Sequence, residues 1–406
     1  MSETITRRRL LTLAASSLAT CGVAGRLYAA PAQGPRFLLV FLRGGYDATN
    51  ALVPFSSSFY YEARPHIAIA RPDPAAVSGA LALDADWALA PALRDTLGAL
   101  YARGEVAFVP FAGTDDLSRS HFETQDSIEL GQPSGTAHDY RSGFLGRLVS
   151  ALASGQSPPP PPIAFTDALP LAFEGPIEVP NLSLRDGGAP PFDARESQLL
   201  AAMYAGRPLE SAVASGLELR QQVAAAMAAE MRAASRNAIN TKGFELQAER
   251  MARLMSGTYR IGFVDVGGWD THVNEGAQEG ALAANLSGLG RGLTTFASAL
   301  GSEEWRNTVV VVLSEFGRTF RENGDRGTDH GHGTVYWVLG GAVRGGRIAG
   351  EQVRVARATL FQDRDWPVLN DYRDLLGGLF RALWGLSSAR CQQVFPQTRP
   401  LDLRLV

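Results

Sequence analysis

Four consecutive valines, Val309 to Val312, followed by Leu313, narrow the choice of fold more than any other stretch of this chain. β-Branched side chains suit a pleated strand better than a helix, and an unbroken apolar run needs cover on both faces. A strand inside a parallel sheet has that cover. Similar runs occur at Arg36–Leu42, Glu105–Phe111 and Tyr259–Asp265, with another around Val335–Leu339. Between them, apolar residues recur at helical spacing over Leu117–Leu130, Asp139–Ala153, Gly280–Leu300 and Asp371–Trp384. The alternation predicts an α/β fold, a three-layer αβα sandwich around a mainly parallel central sheet.

With 406 residues, 45% hydrophobic and 19% charged, the chain can bury a large core. Thr6-Arg-Arg-Arg-Leu-Leu11, the apolar Leu10–Ala24 and the small residues before Pro31 fit a twin-arginine export signal. Residues 1–29 are therefore expected to be removed after Ala29, with the twin-arginine translocase as partner during export and the periplasm or exterior as destination. Residues 30–406 are expected to form one domain with a Pro-rich and helical insertion over about 157–256. Within it, Pro158–Pro162 predict a stiff spacer, 163–190 a short-stranded excursion and 195–256 long helices. The mature chain keeps one cysteine, Cys391, and so no internal disulfide. A net charge of −3, without any Lys/Arg stripe, argues against a nucleic-acid partner. Lys242 is the sole lysine, which leaves little material for Schiff-base or P-loop chemistry. No stretch after the signal has the roughly 20 apolar residues a membrane span needs.

Acids and imidazoles gather where the strand runs end. Asp47 follows the first run, Asp265, Asp270 and His272 follow the third, and Glu315 tips the valine run. Asp329, His330 and His332 sit in the glycine-rich Gly327–Gly333. In parallel sheets ligands collect beyond the carboxyl ends of strands. Imidazole with carboxylate suits a divalent metal: zinc first, with manganese, iron, calcium or magnesium as alternatives. The same residues could serve only as turn and cap partners. Arg43, Arg119 and Arg318 are candidates to hold an anion, although Glu315 and Arg318 could simply pair with each other. Ser118 and Ser120 open the helix carrying His121, so either could cap it, and Ser120 is the candidate nucleophile. His66 and His138 read as structural.

Five segments together resemble a family of exported bacterial proteins, domain of unknown function 1501. They are Leu42-Arg-Gly-Gly-Tyr-Asp47, Arg119-Ser-His-Phe122 with Gln125, Gly267-Gly-Trp-Asp-Thr-His272, Ser314-Glu-Phe-Gly-Arg-Thr319 and Gly327-Thr-Asp-His-Gly331. That family looks like a distant branch of the alkaline phosphatase and sulfatase superfamily. The resemblance implies an alkaline-phosphatase-like sandwich with a metal cluster at the strand ends. Asp47 would match the first aspartate ligand, and Ser120 the start of the nucleophile helix. Asp265 and Asp270 would match an acidic pair, Glu315 the strand-tip acid, and His330 or His332 the late histidine. Two positions depart from that pattern: Phe316 follows Glu315 where histidine is expected, and Asn274 stands four residues after Asp270.

The expected function is a periplasmic metal-dependent hydrolase of small phosphate or sulfate esters. Arg43 or Arg318 would neutralise the anion and Ser120 or water would attack. The alternative is a non-catalytic exported binding or assembly protein with a periplasmic protein partner.

Overall fold

Leu38, Val40 and Leu42 point to one face of the central strand, and Phe37, Leu39 and Phe41 to the other, which splits the core into two apolar clusters. The computed structural model describes residues 34–76, 78–155, 159–184, 236 and 238–406. The expected export segment and the helices expected over 195–235 lie outside the described residues.

The main sheet is built from β1 (Arg36–Leu42), β2 (Val106–Gly113), β3 (Pro162–Ala164), β4 (Ile261–Val266), β5 (Thr308–Ser314), β6 (Thr334–Leu339), β7 (Arg347–Ile348) and β8 (Asn370–Asp371). Its order is β7-β2-β6-β5-β1-β4-β3, with β8 also pairing with β2. All pairings are parallel except those of β6, which runs antiparallel to both β2 and β5. Three two-residue strands, Leu52–Val53, Leu81–Ala82 and Ala88–Leu89, form a separate antiparallel sheet. Pro162, expected inside the spacer, instead opens β3, the edge strand, where a missing N–H is tolerated.

Helices cover both faces, as the strand and helix alternation predicts. On one side pack α3 (Phe244–Ser256) and α4 (Ala281–Leu300), through Met251, Met255, Leu286, Leu289 and Phe296. On the other lie α2 (Phe144–Ala153), α5 (Tyr372–Trp384) and α6 (Ser388–Val394), through Phe144, Leu148, Leu376, Phe380 and Val394. Each fully buried valine or leucine contributes about 1.5–3 kcal/mol.

The helix expected from Leu117 begins only at His121 (α1, His121–Leu130), because Ser120 is extended and accepts the Glu123 N–H as N-cap. It stops at Gly131, which takes the left-handed conformation at φ 63°. The helix expected from Asp139 starts at Phe144, since the segment before it turns through a Ser142 N–H to Asp139 carbonyl bond of 3.2 Å.

Candidate metal centre

Leu42, Val266 and Ser314 stand side by side at the carboxyl ends of β1, β4 and β5. Their following loops therefore leave the sheet together, carrying Arg43, Asp270 and Glu315. β2 is parallel to β1, so α1 begins at the same edge. β6 runs the other way, which puts its leading residues, His330 to Gly333, there too. Gly44 and Gly45 take φ of 121° and 58°. A Cβ on Gly44 would lie 2.8 Å from the Asp270 nitrogen, and one on Gly45 2.5 Å from the Phe316 ring. Only glycine lets the β1 loop press this closely on its neighbours.

Three imidazoles surround one carboxylate oxygen. Asp270 Oδ1 lies 2.9 Å from His272 Nε2, 3.5 Å from His330 Nε2 and 3.6 Å from His121 Nε2. His330 Nε2 is 3.0 Å from His121 Nε2 and 3.2 Å from His272 Nε2. Four ligands at about 2.0–2.1 Å from a tetrahedral ion would stand about 3.3 Å apart. The spacings within the set His121, Asp270 and His330 bracket that value, and His272 flanks the set through Asp270 and His330.

The far side of each ring is held by an acceptor. His121 Nδ1 meets Glu315 Oε1 at 2.7 Å, His330 Nδ1 meets the Arg119 carbonyl at 3.0 Å, and His272 Nδ1 meets Asp329 Oδ1 at 3.3 Å. Arg119 adopts φ 54°, a left-handed turn beside His121. With the proton kept on Nδ1, each neutral ring turns its Nε2 lone pair inward, as metal-ligating histidines do. Asp270 Oδ2 is buried and has no hydrogen-bond partner among the described residues. The residues fit a divalent cation. His272 and His330 keep 21% and 20% of their side-chain surface, so the centre opens to solvent on their side.

Protons hold this arrangement together without an ion. Burial opposes charge on His121, but the hydrogen bonds it donates to Asp270 and Glu315 outweigh it and raise its pKa to about 9. The Asp270 hydrogen bond likewise raises His272. Asp270 stays well below the usual carboxylate range despite burial, because the three histidines and Arg318 favour its anion. Glu315 is buried too, yet His121 and Gln125 bring it down to about 2.

Among the sequence candidates, Asp270, His272 and His330 meet here, with Asp329 and Glu315 one hydrogen bond further out. Glu315 is a support, not an inner ligand: Oε1 also accepts from the Gly44 N–H and Gln125 Nε2, and Oε2 accepts from Ser314 Oγ. It does not pair with Arg318.

The other candidates have partners elsewhere. Asp47 has both oxygens on Arg64, in a fully buried ion pair. Asp265 accepts from Arg43 Nε at 2.6 Å, in a neighbouring pocket of about 130 Å³. Arg43 also reaches Glu129 at 2.8 Å and Gln125 at 2.9 Å, so each of its three nitrogens has a partner within the protein. Arg318, fully buried, spends its guanidinium on Asp270 and the carbonyls of Gly44, Gly45, Trp269 and Thr328. His332 is buried against Phe361 outside the cluster, and burial followed by the nearby Arg119 charge lowers its pKa to about 4. Ser120 Oγ caps α1, and among the described residues no base is hydrogen-bonded to it.

His121 is the inner residue that the sequence reading left out of the ligand set. Its spacing of four from Gln125 and Glu129 already marked one helix face, and all three side chains reach the buried loops.

Among solved structures, the chain is similar to a protein in the alkaline phosphatase superfamily from Vibrio parahaemolyticus, with 9% identity and a TM-score of 0.39 over 94% of this chain and 76% of that one. It is also similar to a putative sulfatase from Bacteroides thetaiotaomicron VPI-5482, with 12% identity and a TM-score of 0.37 over 89% and 75%. No curated protein matches it in sequence. The family described as "Protein of unknown function (DUF1501)" matches residues 35–395, and the chain belongs to that family.

Proposed function

We propose that this protein is an exported, metal-dependent hydrolase of phosphate or sulfate esters. One observation carries the reading: three imidazoles with tied Nδ1 atoms turn their Nε2 atoms onto Asp270, at a place open to solvent. His121, Asp270, His272 and His330 would hold the ion. Three nitrogens and one oxygen favour zinc over calcium or magnesium, which prefer all-oxygen shells. When bound, a divalent ion there supplies Lewis acidity toward an ester oxygen.

Around it, the chain's own residues set the field. Arg364 donates to the His330 carbonyl at 2.8 Å, pairs with Asp365 at 3.1 Å and keeps 38% of its side chain exposed, so it is a rim cation that can also face an anionic group. Export through the twin-arginine route fits a chain that must fold around its cofactor before crossing. Among the described residues no helix is long and apolar enough to cross a membrane.

The pairing of Arg43, Arg318 and Ser120 within the protein favours a second reading, a non-catalytic exported binding or assembly protein that keeps the fold. Metal analysis of the exported protein with a panel of phosphate and sulfate esters separates the two. Stoichiometric metal with turnover that stripping abolishes supports the hydrolase. A folded protein with no turnover on any ester, with or without metal, supports the second reading, and absence of metal overturns the hydrolase.

A further inference from the structure

Beneath the metal centre lies a second polar knot, with no exposed surface. Glu275 Oε2 accepts from Thr271 Oγ1 at 2.9 Å and Thr328 Oγ1 at 3.0 Å. Thr271 sits between Asp270 and His272, and Thr328 two residues before His330. The other oxygen, Oε1, has no donor among the described residues. Beside it is Asp47, whose carboxylate is bound by Arg64. Arg64 in turn donates to the carbonyls of Thr319 at 3.0 Å and Phe320 at 2.7 Å. The knot thus joins all three loops that leave β1, β4 and β5.

Its charges do not balance with both acids ionised. Two fully buried carboxylates face one fully buried guanidinium, so one negative charge would be uncompensated. A proton between Oε1 and Asp47 removes that charge and fills the missing donor. Burial and the Asp47 charge both push Glu275 well above the usual carboxylate range.

We propose that Glu275 is a positioning residue of the metal site, a neutral carboxylic acid that donates to Asp47 and clamps the Asp270–His272 and Asp329–His330 segments through Thr271 and Thr328. The inference rests on the metal reading above, and it holds whether or not the protein turns over an ester. A glutamine at 275 reproduces the neutral acid, its amide nitrogen donating to Asp47 and its oxygen accepting from both threonines. Alanine reproduces neither.

The test is competitive zinc titration against a chelator, on the exported protein stripped of metal, with thermal melting of each stripped variant alongside. Glu275→Gln should bind zinc as the parent does. Glu275→Ala should bind about tenfold more weakly, at the lower end of outer-shell effects on metal affinity. Rescue by glutamine separates a neutral clamp from general loss of packing or of charge. Parent-like affinity in Glu275→Ala, or affinity in Glu275→Gln as weak as in Glu275→Ala, overturns the proposal. Should Glu275→Ala not fold, Thr271→Val with Thr328→Val decides, because it removes both hydroxyl donors and keeps Glu275. Weakened zinc binding there supports the clamp and unchanged binding overturns it. A parent protein that binds no zinc or other divalent ion instead overturns the metal reading itself.

Discussion

Oε1 of Glu315 lies 2.7 Å from Nδ1 of His121, which joins the end of the central valine strand to the first residue of a helix 194 positions earlier. That carboxylate also takes the Gly44 N–H and the Gln125 amide, so its charge is spread over three donors from separate segments. In Glu315→Gln, an amide must face donors that need an acceptor. Zinc affinity should fall about 10–100-fold, and stability by about 1–3 kcal/mol from a buried polar group left unpaired. Chelator competition and urea unfolding measure the two losses, and parent-like values in both would remove Glu315 from the support of His121.

Asp270→Ala and His330→Ala should each leave the exported protein without stoichiometric metal, because each removes an inner donor. The drop in affinity should be on the order of 100-fold or more, above the usual outer-shell effect. His332→Ala should keep its metal, since that ring packs on Phe361 outside the cluster. Elemental analysis of the three purified variants checks the set; equal metal content in all three would sink the proposed ligand assignment.

The pH response of the stripped protein follows from His121. Its folded pKa, about 9, is above its ordinary 6.5, so its proton stabilises the fold fully below about 6.5. That contribution is lost as pH rises through about 9. Melting temperature of the stripped protein should fall across this window, while zinc affinity rises as protons stop competing. Thermal melts with and without zinc test this, and a stripped His121→Ala variant that melts with the same pH dependence would contradict it.

Breaking the Asp47–Arg64 pair should be costly. Arg64→Ala leaves the Asp47 carboxylate buried without its cation, a loss of about 3–5 kcal/mol. Arg64→Lys should rescue little, because one ammonium cannot serve both Asp47 oxygens and the carbonyls of Thr319 and Phe320. Urea unfolding of both variants gives the comparison.

Ser120→Ala should lower stability by about 1 kcal/mol through the lost cap, with ester turnover unchanged on any substrate found. A collapse of turnover in a folded, metal-loaded Ser120→Ala protein would restore the serine as nucleophile.

Strand and helix positions were legible because both apolar faces of β1 and β5 had to be covered, and their residues state that directly. The convergence of Asp270, His272, His330 and Glu315 was readable from loops that follow, or precede, such strands. The direction of β6 was not readable: antiparallel and parallel buried strands have the same composition, and only the pairing partner differs. The engagement of Arg43 and Arg318 was equally hidden, since a guanidinium's partners lie in other segments and a motif does not reveal whether its donors are already spent. Arg64 carried no local mark at all, although it determines what Asp47 does.

The antiparallel course of β6 has a mechanical consequence. Because β5 and β6 are adjacent strands, the excursion from Glu315 to Gly333 is anchored at both ends on one sheet edge. Glu315 and His330 are two stations on a single closed span, so the pairing of β5 with β6 fixes where both ends of that span leave the sheet.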